Sequence, residues 1–380
     1  MNSMVKRIGW LALLGGMTFP AFLKSAPLDE FLTANPGFDP WHGEGEVGLD
    51  MMNSAVDLFN VRGDPDPRNS AIGDYRGVHL RGGLALTRRL WMDGGAWKRK
   101  VITPYDNGES MTLHGAAQFQ VTHAFGVFPA VALRLSGWRD SASEAVKSSR
   151  SSVVIGGNTV TSEQIRVEEP RDEQMQVDLI QTWNPSQSTS LSMFVSYGKS
   201  SVDFDRVYAS DLAAGGLTAT GQFQLTPYTF SNGVQGISGV CTSQCGQMLD
   251  FKVPAPNGQS VPEGLNIGYE SDYYQAGGMY SWLSPQWRAR LGYRFVKWNR
   301  DVDEAVSQMG KAVIDTNHFV TGEVGYKPPF PWFEHAGLFL RGQVMMNQFV
   351  GEIPFSYNAF SAHKFDTRYG LVTMGVTGGF

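Results

Sequence analysis

The residues of this chain best suited to chemistry are arginines and carboxylates spaced by even numbers of residues. Arg288, Arg290 and Arg294 fall at such positions within one short segment. Neighbouring guanidinium groups can bind small anions, or they can pair with carboxylates from an opposite wall. The remaining members of this charged set are Glu46, Asp50, His79, Arg81, Asp93, Arg99, Arg134, Asp140, Asp178, Glu323 and Arg341. The set predicts either a narrow water-filled pore that favours anions or a salt-bridged interior that only holds the protein rigid.

Hydrolytic chemistry would need an activated nucleophile or an acid–histidine pair. None of the seven histidines is followed by x-Ser, and no G-x-S-x-G motif occurs. An Asp/His pair of the protease kind could form from Asp315 and His318. Asp203 or Asp205 could supply its second acid. Polar residues at a rim are usually only solvated, so we assign no catalytic residue.

The two cysteines, Cys241 and Cys245, lie within the long segment 208–265, which is rich in Gly, Ser, Thr and Gln. An exported chain meets oxidising conditions, so we expect a small disulfide that pinches this segment. A metal site would need further ligands, and the segment contains no histidine. The sequence predicts no metal site and no cofactor. It leaves open whether the segment folds inward, caps the outside or binds a partner.

Composition narrows the class of protein. At 380 residues the chain could form two soluble domains or one β-barrel. The 44 glycines and 12% aromatic residues are high proportions, and 18% charged residues is low for a water-soluble protein. The net charge of −5 argues against nucleic acid as a partner, because nucleic-acid binding needs a basic surface.

The N-terminus is typical of an exported protein. Lys6 and Arg7 precede a largely apolar run, Ile8 to Leu23, which has the length of a signal-peptide core. We therefore predict a signal peptide at 1–26 and an N-terminal periplasmic segment at 27–42. After Leu23, no stretch approaches the ~20 apolar residues that a transmembrane helix needs.

Apolar residues recur with period two through the rest of the chain. From Met111 to Val121, apolar or small residues alternate with a polar set, which predicts a strand with one face of each kind. About twelve strands follow, with ten or fourteen also possible. The predicted strands are 43–54, 75–86, 90–101, 110–124, 127–141, 166–183, 190–207, 266–282, 287–302, 313–326, 335–352 and 365–380.

The connections between these strands alternate in length. The short ones are Thr87–Arg89, Phe125–Gly126, Asn184–Thr189, Leu283–Gln286 and Lys327–Glu334. The long ones are 55–74, 102–109, 142–165, 208–265, 303–312 and 353–364. Short turns at one end and long polar loops at the other favour an all-β, transmembrane, up-and-down antiparallel barrel over 43–380, with 208–265 as a long external loop. Both termini then lie at the short-turn end, so the strand number is even.

Aromatic residues support the same interpretation. Trp and Tyr favour the lipid headgroup level, where the ring is apolar and its polar edge stays wet. Eight aromatic residues fall at the short-turn ends: Phe125, Phe128, Trp183, Trp282, Trp287, Tyr326, Trp332 and Phe380.

The last strand carries a resemblance. The ending Tyr369 to Phe380 alternates apolar with polar or small residues and finishes on Phe. It resembles the C-terminal insertion signal of Gram-negative outer-membrane proteins, although Gly378 departs from the apolar pattern. The resemblance implies location in the outer membrane and recognition by the barrel assembly machinery. Outer-membrane lipids and lipopolysaccharide are then the expected surroundings.

The function predicted from these features is passive permeation of small polar or anionic solutes through a narrow channel. Two alternatives stay open, namely a hydrolase that acts on lipid or peptide at the outer rim and a closed structural or adhesive barrel. The sequence specifies neither the solute nor the oligomeric state.

Overall fold

The computed structural model describes residues 31–34, 39–52, 74–102, 107–147, 151–155, 158–214, 217–254, 269–301, 303, 315–330, 336–345 and 369–379. The predicted signal peptide at 1–26 and the final residue, Phe380, lie outside these ranges. Within the described ranges, no helix is long and apolar enough to cross a membrane.

The described residues form twenty strands. Strands β1 to β10 are Gly43–Met52, Asp74–Ala85, Leu90–Ile102, Asn107–Thr122, Ala130–Ser141, Glu144–Lys147, Ser151–Ile155, Asn158–Ser162, Gln164–Glu168 and Arg171–Ser186. Strands β11 to β20 are Thr189–Asp203, Arg206–Ala214, Leu217–Thr229, Gln235–Ser243, Asp250–Pro254, Tyr269–Leu283, Trp287–Arg300, Thr316–Tyr326, Ala336–Met345 and Tyr369–Gly379.

Twelve of these strands form one closed barrel of antiparallel neighbours. Their order is β1-β2-β3-β4-β5-β10-β11-β16-β17-β18-β19-β20. The first and last strands close the barrel, because β1 pairs with β20 from Glu44–Gly379 to Met51–Val372. Closure gives hydrogen-bond partners to the two strands that would otherwise be edges, which is a requirement inside lipid. The predicted fold class and even strand number are confirmed.

Each of the twelve predicted strands corresponds to one barrel strand, although several ends shift. Strand β5 begins at Ala130 and not at 127, because Phe125 and Phe128 pair across a tight turn with Gly126 at φ 58°. Strand β10 begins at Arg171 and not at 166, because Glu169 has φ 48° and separates β9 from β10. Local backbone geometry determines where these two strands begin, and the hydrophobic periodicity of the sequence does not reveal that geometry.

The strands are polar inside and apolar outside. In β11, Ser196 and Ser200 are buried in the barrel, whereas Met193 and Val195 are exposed on its outer wall. Successive side chains of a strand point to opposite faces, so this alternation runs the length of the wall. An outer surface of exposed apolar side chains fits lipid and not water.

Aromatic side chains lie on the outer wall at the short-turn end, as expected for a membrane interface. The Trp287 and Tyr326 rings pack with centroids 4.6 Å apart. Trp282, Phe125 and Phe128 are also exposed at this end. Two other members of the predicted set, Trp332 and Phe380, lie outside the described residues.

A second sheet of eight strands extends from the long-loop end. It contains β6 to β9 from the segment after β5 and β12 to β15 from the segment after β11. Strand β9 pairs with β12, from Arg206–Glu168 to Ser210–Gln164. The predicted long connections 142–165 and 208–265 therefore contain strands that pair with each other. This pairing buries Ile165, Val167 and Val207 together.

Four residues of the predicted N-terminal periplasmic segment 27–42 lie inside the barrel. Within these residues, 31–34, Phe31 and Ala34 are completely buried. Leu32 and Ala34 pack in an apolar cluster with Ala130, Ala132, Ile180 and Phe194 of the inner wall. Burial of these small apolar patches favours the inner position.

The closing strand β20 continues to Gly379 and includes Tyr369, whose backbone is registered with Met345 of β19. Its recognition by the assembly machinery stays a prediction.

Candidate functional site in the barrel lumen

The centre of the site is a group of four arginines around two glutamates, which we call the arginine cluster: Arg81, Arg288, Arg290, Arg341, Glu46 and Glu323. All six residues face inward from strands β1, β2, β17, β18 and β19, and all are buried. These strands are neighbours around the closed wall, because β1 and β19 both pair with β20. Barrel closure therefore brings together residues that are up to 295 positions apart.

Glu323 contacts three of the arginines. Its carboxylate lies 3.0 Å from Arg288 Nη2 and 2.6 Å from Arg290 Nη2 through Oε1, and 2.9 Å from Arg341 Nη2 through Oε2. Register explains two of these pairs, since Glu323 stands opposite Arg290 on β17 and Arg341 on β19. One acid thus neutralises only part of the charge around it.

Glu46 holds the other side of the cluster. Arg81 donates to Glu46 Oε1 from Nε at 3.0 Å and from Nη2 at 2.5 Å. Arg341 reaches Glu46 Oε2 at 3.0 Å, so this guanidinium bridges the two glutamates. His79 lies between Glu46, at 3.0 Å, and Asp50, at 3.1 Å, and extends the network along the wall.

Two further polar groups line other parts of the lumen. Arg134 makes a bidentate pair with Asp93, at 2.5 and 2.8 Å, and the indole of Trp91 donates to the same carboxylate at 3.0 Å. Nearer the long-loop end, Arg99 donates to Thr112 at 3.2 Å, and Thr112 donates to Asp140. Bidentate geometry of this kind fixes long side chains in place.

The charged residues singled out from the sequence all lie on the inner face, with two qualifications. Asp178 is completely buried and accepts from Gln176 at 2.5 Å, away from the arginine cluster. Arg294 is only half-buried, and its guanidinium lies 4.3 Å from the centre of the Phe319 ring. The structure therefore gathers four of the seven selected arginines at one place and leaves Arg99, Arg134 and Arg294 elsewhere.

The sequence-based selection missed Asp172 and Phe31. Asp172 is completely buried and accepts from Ser200 at 2.6 Å and from Gln174 at 2.6 Å. Asp172 lies an even number of residues from Asp178 on the same strand, so both face the same side and strand periodicity could have identified it. Phe31 precedes the first strand, where no period marks which side chains are inside.

Residues 31–34 are fixed to the inner wall by hydrogen bonds. The Ala34 amide donates to Thr182 Oγ1 at 2.7 Å, and the Thr33 and Thr182 hydroxyl oxygens are 3.3 Å apart. Gln118 donates from Nε2 to the Thr33 carbonyl at 2.8 Å. The Phe31 ring lies against the arginine cluster, 4.2 Å from Arg290 Cζ and 5.8 Å from Arg341 Cζ.

A small pocket adjoins the cluster on its short-turn side. Its lining combines wall glycines with charged side chains: Glu44, Gly45, Glu46, Arg81, Gly82, Arg288, Arg290 and Thr377. Among the described residues, the Nε of Arg288 is buried there with no hydrogen-bond partner. Counted over the same residues and with Glu44 included, four guanidinium groups face three carboxylates, which leaves one surplus positive charge.

The disulfide and the rim residues lie away from this site. Cys241 and Cys245 are joined by a disulfide in the second, eight-stranded sheet, which we call the outer sheet. Among the described residues, the structure gives the Asp/His candidates separate partners. His318 Nδ1 lies 2.8 Å from the Tyr293 hydroxyl, Asp315 lies 3.8 Å from Lys297, and Asp203 accepts from Arg171 at 2.6 Å. No acid–histidine pair follows from these contacts.

A closed antiparallel wall with an apolar outside and a charged inside defines a transmembrane β-barrel of the outer-membrane type. No protein-family model matches the chain, and no curated protein sequence matches it. Solved structures similar to it include the translocator domain of the autotransporter NalP from Neisseria meningitidis, with 8% identity over 89% of this chain and 87% of that one and a TM-score of 0.41. The NanC porin is 6% identical over 88% and 98%, with a TM-score of 0.40. The Pseudomonas putida toluene transporter TodX is 10% identical over 91% of each chain, with a TM-score of 0.37.

Proposed function

We propose that this barrel is an outer-membrane channel for passive permeation of small polar or anionic solutes, with selectivity from the arginine cluster. The single observation that carries this proposal is the surplus of guanidinium over carboxylate groups around Glu46 and Glu323. A ring of cationic side chains in a pore lowers the electrostatic barrier to anions and raises it for cations.

The free-energy cost of burying these charged side chains supports a functional role for the barrel interior. Well-packed apolar side chains of similar volume are often as stabilising as buried ion pairs, or more so. The barrel nevertheless keeps the buried groups of Arg81, Arg134 and Arg290 within its wall. Rigidity alone does not require so many buried charges, whereas passage of water-soluble solutes requires a polar lining.

The arginine cluster is shielded from solvent in the described part of the chain. Arg290 and Arg341 are only 3% and 4% exposed, and residues 31–34 occupy space beside them. A wide water-filled pore would leave such side chains in contact with solvent. We infer that permeation at this level requires movement of residues 31–34 away from the wall.

The direct test measures ion selectivity of the purified protein in planar lipid bilayers. Arg288→Gln removes the cluster arginine with an unsatisfied Nε and leaves Glu323 paired with Arg290 and Arg341. We expect single-channel conductance from the wild type and a several-fold lower anion-to-cation permeability ratio in the variant, because one local charge is lost.

Lys98→Gln is the matched control. It removes the same charge from the outer wall, where the Lys98 side chain is 72% exposed. The permeability ratio of this variant should equal that of the wild type. Absence of any conductance from the folded wild-type protein would remove the channel proposal.

One observation favours the second candidate, a closed barrel whose external part binds a partner. The eight-stranded outer sheet is a folded structure stiffened by the Cys241–Cys245 disulfide and not an irregular loop. A non-conducting wild type would favour this alternative.

A further inference from the structure

The Phe31 ring lies against the arginine cluster. Donors of Arg290 and Arg341 are directed at Glu323 and Glu46. The Cζ atom of Arg290 lies over the Phe31 ring, 4.2 Å from its centre. An aromatic ring over a guanidinium face gains cation–π attraction, and the gain rises when water is excluded.

Phe31 does not neutralise the positive charge of the arginine cluster. Its ring is neutral, so within the part of the chain that the structure describes the cluster keeps its surplus positive charge and Arg288 Nε has no acceptor. Arg288 and Arg290 line the same small pocket, so this donor lies beside the guanidinium that the ring covers. A ligand with both an aromatic ring and an anionic group would meet both requirements at once.

The segment that carries Phe31 is held without continuous strand pairing among its described residues. Its contacts include an isolated β-bridge at Phe31, hydrogen bonds to Thr182 and Gln118, and an apolar cluster with small side chains such as Ala130 and Ala132. Four residues held in this way are far easier to displace than a barrel strand, whose backbone is paired on both sides. The segment can therefore leave while the wall stays intact.

We propose that the position of the Phe31 ring is a binding site for a small planar aromatic anion, and that Phe31 fills it as an internal ligand that keeps the barrel closed. This inference rests on the proposed channel function and names the solute class that the channel favours. A ligand that displaces Phe31 would stack on Arg290 and place its anionic group near Arg288. Binding of the ligand then opens the lumen, because the ligand and Phe31 compete for the same position.

The test measures binding of benzoate to the detergent-folded full-length protein by isothermal titration calorimetry. Phe31→Ala vacates the ring position, and we expect it to bind benzoate about tenfold more tightly than the wild type. Cyclohexanecarboxylate has the same charge and no aromatic face, and benzamide has the ring and no charge. Both should bind Phe31→Ala more weakly than benzoate.

Leu32→Ala is a second variant, because it loosens the same segment in the apolar cluster without removing the Phe31 ring. A looser segment competes less with the ligand, so its affinity for benzoate should lie between those of the wild type and Phe31→Ala. Equal benzoate affinity in all three proteins, or no preference for benzoate over cyclohexanecarboxylate in Phe31→Ala, overturns the proposal.

A cross-link provides a second test that leaves Phe31 in place. Thr33→Cys combined with Thr182→Cys joins two side chains whose hydroxyl oxygens are 3.3 Å apart. The oxidised protein should lose benzoate binding and conductance, and a reductant should restore both. Wild type treated with the same reductant controls for loss of the Cys241–Cys245 disulfide. Benzoate binding that is unaffected by oxidation contradicts the proposal.

Conductance measurements distinguish the binding-site proposal from the channel proposal. Benzoate binding by Phe31→Ala without conductance in any variant supports the site and removes the channel. Conductance that is indifferent to benzoate, together with no binding, supports the channel and removes the site.

Discussion

Single carboxylates in the lumen serve several guanidinium groups at once. Glu323 accepts from Arg290 and Arg341 and lies 3.0 Å from Arg288. Loss of such an acid leaves buried cations without their shared partner, and this costs much more than the pair contributes relative to an apolar replacement. The stability of the site is therefore most sensitive to substitution of its few acidic residues.

Glu323→Gln tests this point. The amide keeps the volume of the side chain but removes the charge from among three buried arginines. We expect a loss of about 3–5 kcal/mol in the free energy of unfolding. Urea titration of the protein in lipid vesicles, followed by tryptophan fluorescence, measures it.

Glu109→Gln is the control for this prediction. Glu109 pairs with Lys98 at 3.6 Å and Lys100 at 3.8 Å on the outside, and its side chain is 54% exposed. Its loss should cost less than about 1 kcal/mol, because exposed pairs are screened by solvent. Equal losses in the two variants would show that the buried network is not what holds the arginines.

Between neighbouring barrel strands, a large inward ring repeatedly stands opposite a glycine. The register pairs Gly48 with His79, Gly198 with Tyr273, Gly277 with Phe194, and Gly375 with Phe339. A Cβ on any of these glycines would collide with the ring opposite. The glycines thus make room for rings that lie flat along the inner wall, which explains part of the high glycine content of the strands.

Gly198→Ala tests this pairing. Tyr273 is completely buried and its ring occupies the space that the new methyl group would need. We expect a loss of about 1–3 kcal/mol in unfolding free energy, typical of an overpacked interior. Gly115→Ala on the outer face of β4, where no atom lies within 4 Å, should be neutral or slightly stabilising. A neutral Gly198→Ala would contradict the packing argument.

For the molecule as a whole, the apolar outer wall requires lipid. Leu135 projects outward from the middle of β5 and is 51% exposed, whereas Leu249 is 65% exposed in the outer sheet segment before β15. Exposure is therefore similar at the two sites, and only the surroundings differ.

Leu135→Arg should cost about 2–4 kcal/mol in unfolding free energy in lipid vesicles, because a charge near the bilayer midplane is poorly solvated. Leu249→Arg should be nearly neutral, since Leu249 lies directly before β15, a strand of the sheet separate from the barrel wall. Urea titration of vesicle-inserted protein compares the two. Tolerance of arginine at both positions would argue against the placement of the barrel wall in the bilayer.

The period-two pattern was sufficient to predict about twelve barrel strands and to indicate which face of each is polar. Period-two alternation is a local property of each strand, so Met193 and Ser196 could be placed on opposite faces without knowledge of their neighbours. The alternation of short and long connections then fixed closure and an even strand number. Asp172 was within reach of the same reasoning.

How the inward side chains meet one another is visible only in the folded barrel. Barrel closure brings Glu46 beside Arg341, and neither residue carries any sign of the other in the sequence around it. The outer sheet depends on pairing between segments that follow different barrel strands, as β9 and β12 do. The inner position of Phe31 depends on the space left by the inner wall. These features arise from contacts between distant parts of the chain, and local periodicity carries no information about such contacts.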